Sequence, residues 1–165
     1  MESSKWKIRE NMILGIDPGL ANVGWAVISD ENTLIDSGCI VTDKKKGKAE
    51  RLGEIYEKLL EVIKKNEVKT VSLESLFFAK NISSALPVAE TIGVIRLCGV
   101  RNKCEVVEFT PLQIKMALVG YGRAQKDQVE VMVRQQLGFD DKVKIDHEAD
   151  AMAAALTYLF TMKYE

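Results

Sequence analysis

Two acidic residues end apolar segments that have the pattern of buried strands. Asp17 follows the run Met12–Ile16 and precedes a Pro-Gly turn, and Glu74 follows the β-branched run Val68–Leu73. Acidic side chains are rarely buried without a partner, so carboxylates at the tips of core strands suggest a function. Each has an ordinary alternative: Asp17 could accept hydrogen bonds from its own turn, and Glu74 could face solvent.

A third acidic group, Asp146–Asp150 (DHEAD), opens an alanine-rich segment with helical character. His147 and Asp150 are three residues apart and therefore lie on one helical face. Carboxylates stabilise the N-terminus of a helix, but one would serve that purpose and this segment has three. The small alanines that follow would let the helix lie close against a sheet.

These groups could meet at one edge of a sheet. Four converging acids, Asp17, Glu74 and a pair at the helix start that includes Asp150, cannot all stay ionised without cations, so they indicate a hard divalent metal. Such a cluster suits a two-metal site for in-line displacement at phosphorus with water as the nucleophile. As a softer ligand, His147 would shift the preference somewhat toward Mn²⁺.

The spacing of apolar residues predicts the elements that position these side chains. Period-two and β-branched runs predict strands, and spacings of three and four predict helices. The predicted strands are Met12–Asp17, Asn22–Ser29, Thr33–Thr42, Val68–Glu74 and Cys104–Phe109, and the predicted helices are Ala49–Asn66, Ser83–Arg101, Pro111 to near Gly120, Gln125–Leu137 and Asp146 to Tyr158 or beyond. The order β-β-β-α-β-α-β-α-α-α predicts an α/β fold, a mixed sheet with helices on its faces.

Length and composition narrow the class of protein. A chain of 165 residues fits one domain and is too short for a two-domain dinucleotide enzyme or a full-length protein kinase. A net charge of −1 neither requires nor excludes an anionic partner. The three cysteines and single histidine give a zinc site almost no ligand set. We see no signal peptide and no uninterrupted apolar run of ~18 residues, so we expect a cytoplasmic protein without a membrane span.

Four blocks of the sequence resemble the RuvC family of Holliday junction resolvases. They are ILGIDPGLANVGWAVI, LESLFFAKNISSAL, FTPLQIKMALVGYGRAQKDQV and HEADAMAAAL, in the family's order and spacing from Met12 to about Leu159. The resemblance implies a ribonuclease H-like fold, a mixed five-stranded sheet flanked by helices, in one nuclease domain over residues 12–165. Residues 1–11 are then an N-terminal extension.

The resemblance implies a homodimeric, metal-dependent endonuclease of bacterial cytoplasm that cuts four-way junction DNA in recombination and repair. Its catalytic and metal-binding residues fall on Asp17, Glu74, His147 and Asp150, with two Mg²⁺ ions per site and Mn²⁺ as a substitute. The third position is commonly Asp, so His147 is a departure and could ligate metal or transfer a proton; Asp146 could partly substitute for it. RuvA and RuvB enter as partners by the same resemblance.

Basic residues flank a glycine-containing loop at residues 120–122. Lys115, Arg123 and Lys126 could contact phosphates there, although a solvated face would have the same composition. The family places basic junction contacts at the positions of Lys115 and Lys126. The lysine-rich run Lys44–Lys48 is interpreted as a solvated loop.

Aromatic residues offer a second kind of DNA contact. The resemblance assigns Phe77 to stacking or wedging at the unpaired centre of the junction, and leaves Phe78 to packing. Both could instead belong to the core. Tyr121 is a further candidate contact.

Two cuts on opposed strands of a roughly twofold junction need two active sites, which a C₂ dimer supplies. The apolar face of Ser83–Arg101 is the candidate interface, although core burial would explain that face too. Two other functions remain open: a non-catalytic junction-binding protein on the same fold, and half of an actin-like phosphotransferase. The latter needs a second lobe that 165 residues do not hold.

Overall fold

The computed structural model describes residues 11–76, 82–140 and 146–162. The elements follow the predicted order. The strands are β1 (Met12–Asp17), β2 (Asn22–Ser29), β3 (Leu34–Val41), β4 (Thr70–Glu74) and β5 (Glu105–Phe109), and the helices are α1 (Lys48–Lys65), α2 (Ile82–Arg101), α3 (Pro111–Val119), α4 (Lys126–Leu137) and α5 (Asp146–Met162).

The five strands form one sheet in the order β3-β2-β1-β4-β5. The first three strands pair antiparallel as a meander, whereas β1 with β4 and β4 with β5 pair in parallel. The predicted mixed five-stranded sheet is therefore confirmed. β4 begins two residues later than predicted because the N–H of Val68 donates to Ile63 at the end of α1. Glu67 has a φ of 51° in this turn, so the chain becomes extended only after it.

Helices cover both faces of the sheet, and each face has its own core. On one face, α1 and α2 bury residues such as Ile55, Leu59 and Ile95 against Leu14 and Leu73. On the other face, α5 packs centrally and α3 and α4 pack beside it. Because alternate residues of a strand point to opposite faces, each central strand contributes to both cores.

Two glycines let α5 approach the sheet at backbone distance. A Cβ on Gly15 would lie 1.9 Å from the carbonyl oxygen of Ala151, and one on Gly24 would lie 2.2 Å from the carbonyl oxygen of His147. The hydroxyl of Ser72 donates to the carbonyl of Ala154 at 2.7 Å. At these three points the backbone of α5 itself contacts the sheet, which restricts movement of the helix along the strands.

α2 is apolar on two sides. Its inner side buries Ile92, Ile95 and Cys98, whereas Leu86 and Val100 on the outer side are 55% and 65% exposed. By length and composition α2 could cross a membrane, although the sequence predicted no span. The fold gives a different account of this apolar character, since one side of α2 packs against α1 and β5.

Some predicted features lie outside the described residues. These are the N-terminal extension apart from Asn11, and both Phe77 and Phe78. For Asp146 only the backbone, as the first residue of α5, is described.

We expect Gly15→Ala to destabilise the protein, because its methyl group would push α5 off the sheet. Overpacking of this kind typically costs about 1–3 kcal/mol, and backbone is the clashing group here. Gly53→Ala is the matched control. Gly53 lies at an exposed position of α1 with open space around it, so alanine should raise the free energy of unfolding by roughly 0.5–1 kcal/mol. Urea unfolding of both variants checks this. Equal stability of the two variants would contradict close packing at Gly15.

Candidate active site

Asp17 and Glu74 end two neighbouring strands that run in the same direction. Ile16 pairs with Leu73 in the parallel register of β1 and β4, and the two acidic residues come next on each strand. Gly15 and Ser72, two positions earlier, both contact α5. Because side chains on a strand alternate between faces, both carboxylates belong to the face that α5 covers.

α5 brings the remaining candidates to the same corner. Gly24 pairs with Asp17 across β1 and β2, and it lies against the backbone of His147 in the first turn of α5. Asp150 is one turn further along the helix. α5 therefore starts at the strand ends that carry Asp17 and Glu74, and the positive end of its dipole faces their carboxylates.

Asp17 interacts electrostatically with the other candidates. Burial, and after it the negative charge of Asp150, raise the pKa of Asp17 to about 6 against the lowering effects of His147 and Lys126. Glu74 responds in the same way. Burial, then the charges of Asp17 and Asp150, raise its pKa to about 7 against the lowering effects of Lys126 and Lys115. The three carboxylates predicted from the sequence thus share one electrostatic environment.

Lys126 supplies positive charge inside this group. Its Nζ lies 2.8 Å from Oδ2 of Asp150. Lys126 is the first residue of α4, whose start is fixed by a hydrogen bond from the N–H of Gln125 to the side chain of Gln128. The sequence predicted Lys126 only as a DNA contact, so its ion pair with a catalytic candidate is a new finding.

Lys115 lines the same cleft from α3. The cleft is lined by Glu74, Pro111, Ile114, Lys115, Lys126, Val129, Asp150 and Ala153. α3 begins as the sequence predicted, with Thr110 and Gln113 exchanging hydrogen bonds in a capping box. This cap sets the direction of α3, and with it the position of Lys115 beside Glu74.

The other two DNA-contact candidates lie on the turn between α3 and α4. Tyr121 is 56% exposed, and Arg123 is exposed as well. The turn begins at Gly120, whose φ of 76° favours glycine, and is anchored by the buried Ala124. The site therefore places Lys115 and Lys126 at the carboxylates and displays Tyr121 and Arg123 on the outer loop.

The side chains suit a hard divalent cation in their chemistry. Three carboxylates supply oxygen donors of the kind that Mg²⁺ binds, and the raised pKa values of Asp17 and Glu74 reflect buried negative charge that a cation would relieve. In their present rotamers no three His, Cys, Asp or Glu side chains of the described residues are grouped tightly enough to hold an ion.

Sequence reasoning missed the residues that position α5. Gly15, Gly24 and Ser72 all stand on the α5 face of central strands. The available signal was glycine inside apolar strands, which is typical of close backbone approach. That signal did not enter the prediction.

The fold, with carboxylates grouped at the start of α5, is that of the ribonuclease H-like class of nucleases. Comparison with known proteins identifies the family within this class. The model of the family "Crossover junction endodeoxyribonuclease RuvC" matches residues 13–158. The protein of that name from Finegoldia magna is 40% identical over 156 residues, which cover 93% of this chain and 95% of the relative. The chain belongs to the RuvC family.

Solved structures agree with this assignment. Thermus thermophilus RuvC in complex with a Holliday junction substrate superposes with a TM-score of 0.86 at 30% identity, covering 93% of this chain and 96% of that one. The yeast mitochondrial Holliday junction resolvase Ydc2 matches with a TM-score of 0.65 at 14% identity, which supports the fold alone. The predicted ribonuclease H-like fold is confirmed.

We expect Asp17→Asn to raise the stability of the metal-free protein at pH 8. Because the pKa of Asp17 is raised to about 6 in the fold, the wild-type protein loses stability as the pH rises from about 4 through about 6, and asparagine avoids this loss. Thermal unfolding should show a gain of a few degrees at pH 8, since about 1 kcal/mol shifts Tm by roughly 2–4 °C at this size. The gain should shrink at pH 5. Glu31→Gln, at an exposed turn, should show no such difference between the two pH values.

Proposed function

We propose that this chain is a metal-dependent endonuclease that resolves Holliday junctions by paired, symmetric cleavage of phosphodiester bonds. The observation that carries the proposal is the convergence of Asp17, Glu74 and Asp150 at the start of α5 in a chain of the RuvC family. Relatives named crossover junction endodeoxyribonucleases align with 93% and 90% of this chain. The Thermus thermophilus neighbour is itself described with a Holliday junction substrate.

Asp17, Glu74 and Asp150 would hold the cations, with His147 as the fourth side chain of the site. Two Mg²⁺ ions are the proposed cofactor, with Mn²⁺ as a substitute. When bound, such ions activate water and neutralise charge on the attacked phosphate. The protein's part is to hold the oxygen donors on two strand ends and one helix start, so that the reacting phosphate meets a prearranged site. His147 would serve as a ligand or as a proton-transfer group beside Asp17.

Phosphate binding is the proposed role of the basic side chains around the site. Lys115 and Lys126 line the carboxylate cleft, so a phosphate held by them would lie beside the acidic residues. Arg123 and Tyr121 on the exposed turn would extend this contact along the strand. Phe77, by its family position, remains the proposed stacking residue at the junction centre.

A non-catalytic junction-binding protein is the weaker alternative. A site that had lost catalysis would be expected to lose carboxylates, but Asp17, Glu74 and Asp150 are all present and interact with one another. The substitution of His for the common Asp affects one position only.

Asp17→Asn should reduce junction cleavage at least a thousandfold while leaving junction affinity within about threefold of wild type. The variant loses a metal ligand but keeps the basic residues that bind phosphate. Cleavage of a synthetic four-way junction in Mg²⁺ and, separately, in Mn²⁺ measures the first effect, and gel-shift titration without metal measures the second. Glu31→Gln is the active control. Wild-type rates of cleavage by Asp17→Asn would rule out the proposed mechanism, and absence of cleavage by the wild type with either ion would favour the non-catalytic alternative.

A homodimer formed through α2 is the second part of the proposal. Ile82, Leu86, Leu97 and Val100 follow one another at spacings that place them along one side of α2, and all are at least 54% exposed. Ala89 and Gly93 are exposed between them and would let two helices approach closely. An exposed apolar stripe of this length is typical of a protein interface, and a second copy would provide the second cut.

Leu86→Glu should convert the dimer to monomers, because it buries a charge in the middle of the proposed interface. Val131→Glu is the matched control, since Val131 is similarly exposed (50%) but lies on α4, on the opposite side of the sheet. Sedimentation equilibrium distinguishes the species. The interface assignment fails if Leu86→Glu remains dimeric or if Val131→Glu dissociates equally.

The family also supplies the cellular setting. We propose the bacterial cytoplasm as the location and the branch-migration proteins RuvA and RuvB as partners, both on the strength of family membership.

A further inference from the structure

Lys126 occupies the centre of the charge distribution at the site. Its ammonium contacts Oδ2 of Asp150 at 2.8 Å, and its charge also acts on Asp17 and Glu74. One lysine thus contacts one of the three carboxylates that are proposed to hold metal and acts electrostatically on the other two. Its side chain is 68% exposed, whereas that of Asp150 is 29% exposed, so the lysine is the more solvent-accessible partner of the pair.

Lys115 provides a contrast within the same cleft. It lines the cleft and its charge acts on Glu74. Among the side chains that the structure describes, however, the ion pairs involve Lys126 and not Lys115 at this site. The two lysines therefore differ in contact with a carboxylate while sharing their charge and surroundings.

We propose that the ammonium of Lys126 pairs with Asp150 until a divalent ion displaces it, and that it then binds DNA phosphate. This inference rests on the proposed metal-dependent function and adds a regulatory step to the same site. It gives the contact between Nζ of Lys126 and Oδ2 of Asp150 a role in the metal-free protein.

Lys126 and a divalent ion would compete for Asp150 because both are cations. An oxygen that accepts a hydrogen bond from an ammonium at 2.8 Å cannot at the same time bind a divalent ion without bringing two cations into repulsion. Displacement is feasible because an exposed lysine loses little when it leaves a surface ion pair. A metal ion that displaces Lys126 from Asp150 raises the affinity for a phosphate that binds Lys126. By reciprocity, that phosphate raises the affinity for the metal ion by the same factor. Metal and DNA would therefore bind cooperatively through one side chain.

The test is a titration of Mn²⁺ into the full-length protein without DNA, with free Mn²⁺ measured by electron paramagnetic resonance. Lys126→Gln should tighten Mn²⁺ binding about three- to tenfold, because the competing cation is gone. Lys126→Arg keeps a cation at Asp150 and should bind like the wild type. Lys115→Gln removes the same charge from the same cleft without breaking an ion pair, and should change the affinity less than twofold. Circular dichroism verifies that each variant is folded.

Unchanged or weaker Mn²⁺ binding by Lys126→Gln would overturn the displacement, as would an equal gain in Lys115→Gln, which would indicate a general effect of net charge. In both cases, Mn²⁺ binding by the wild-type protein would still support the proposed metal site. No Mn²⁺ binding by the wild type would instead overturn that site, and the displacement with it. A measurement on the wild type alone completes the test: addition of Mg²⁺ should shift the Nζ resonance of Lys126 in NMR spectra more than that of Lys115.

Discussion

The close contact between α5 and the sheet is the constraint on which the rest of the site depends. Gly15 and Gly24 remove the two Cβ atoms that would hold the helix away, and backbone carbonyls of α5 fill the space. Side chains can change rotamer, but a backbone contact leaves a helix little freedom to slide or rotate. The positions of His147 and Asp150, which lie at the start of α5, therefore depend on this contact. The chemistry at the start of α5 is thus set by residues that have no functional groups.

The same contact brings negative charges together at a cost in free energy. Burial and mutual repulsion raise the pKa values of Asp17 and Glu74, so the metal-free fold is less stable with these groups ionised. The positive end of α5 and the ammonium of Lys126 offset part of this cost. Stability and the proposed catalytic role of these residues are therefore opposed, since the buried charge that the proposed role needs destabilises the metal-free fold.

The order of elements and the location of the acidic residues could be predicted from sequence because they depend on local patterns. Apolar periodicity determined β1 and α1, and the capping box determined the start of α3. Contacts between distant segments could not be predicted in this way. The pairing of Lys126 with Asp150 joins the starts of two helices, and the role of Gly24 depends on which helix lies above it. The sequence likewise could not show which side of α2 stays exposed, because an apolar helix can bury either face.

The parallel pairing of β1 with β4 has a consequence for how the site tolerates change. Ile16 pairs with Leu73, and Asp17 and Glu74 are the next residues on the two strands, so the ~4.8 Å repeat between hydrogen-bonded strands sets the separation of the segments that carry them. That repeat is a property of peptide geometry and does not vary with the side chains of the core. Substitutions elsewhere in the protein can therefore lower its melting temperature without changing the distance between the two strand ends that carry these carboxylates.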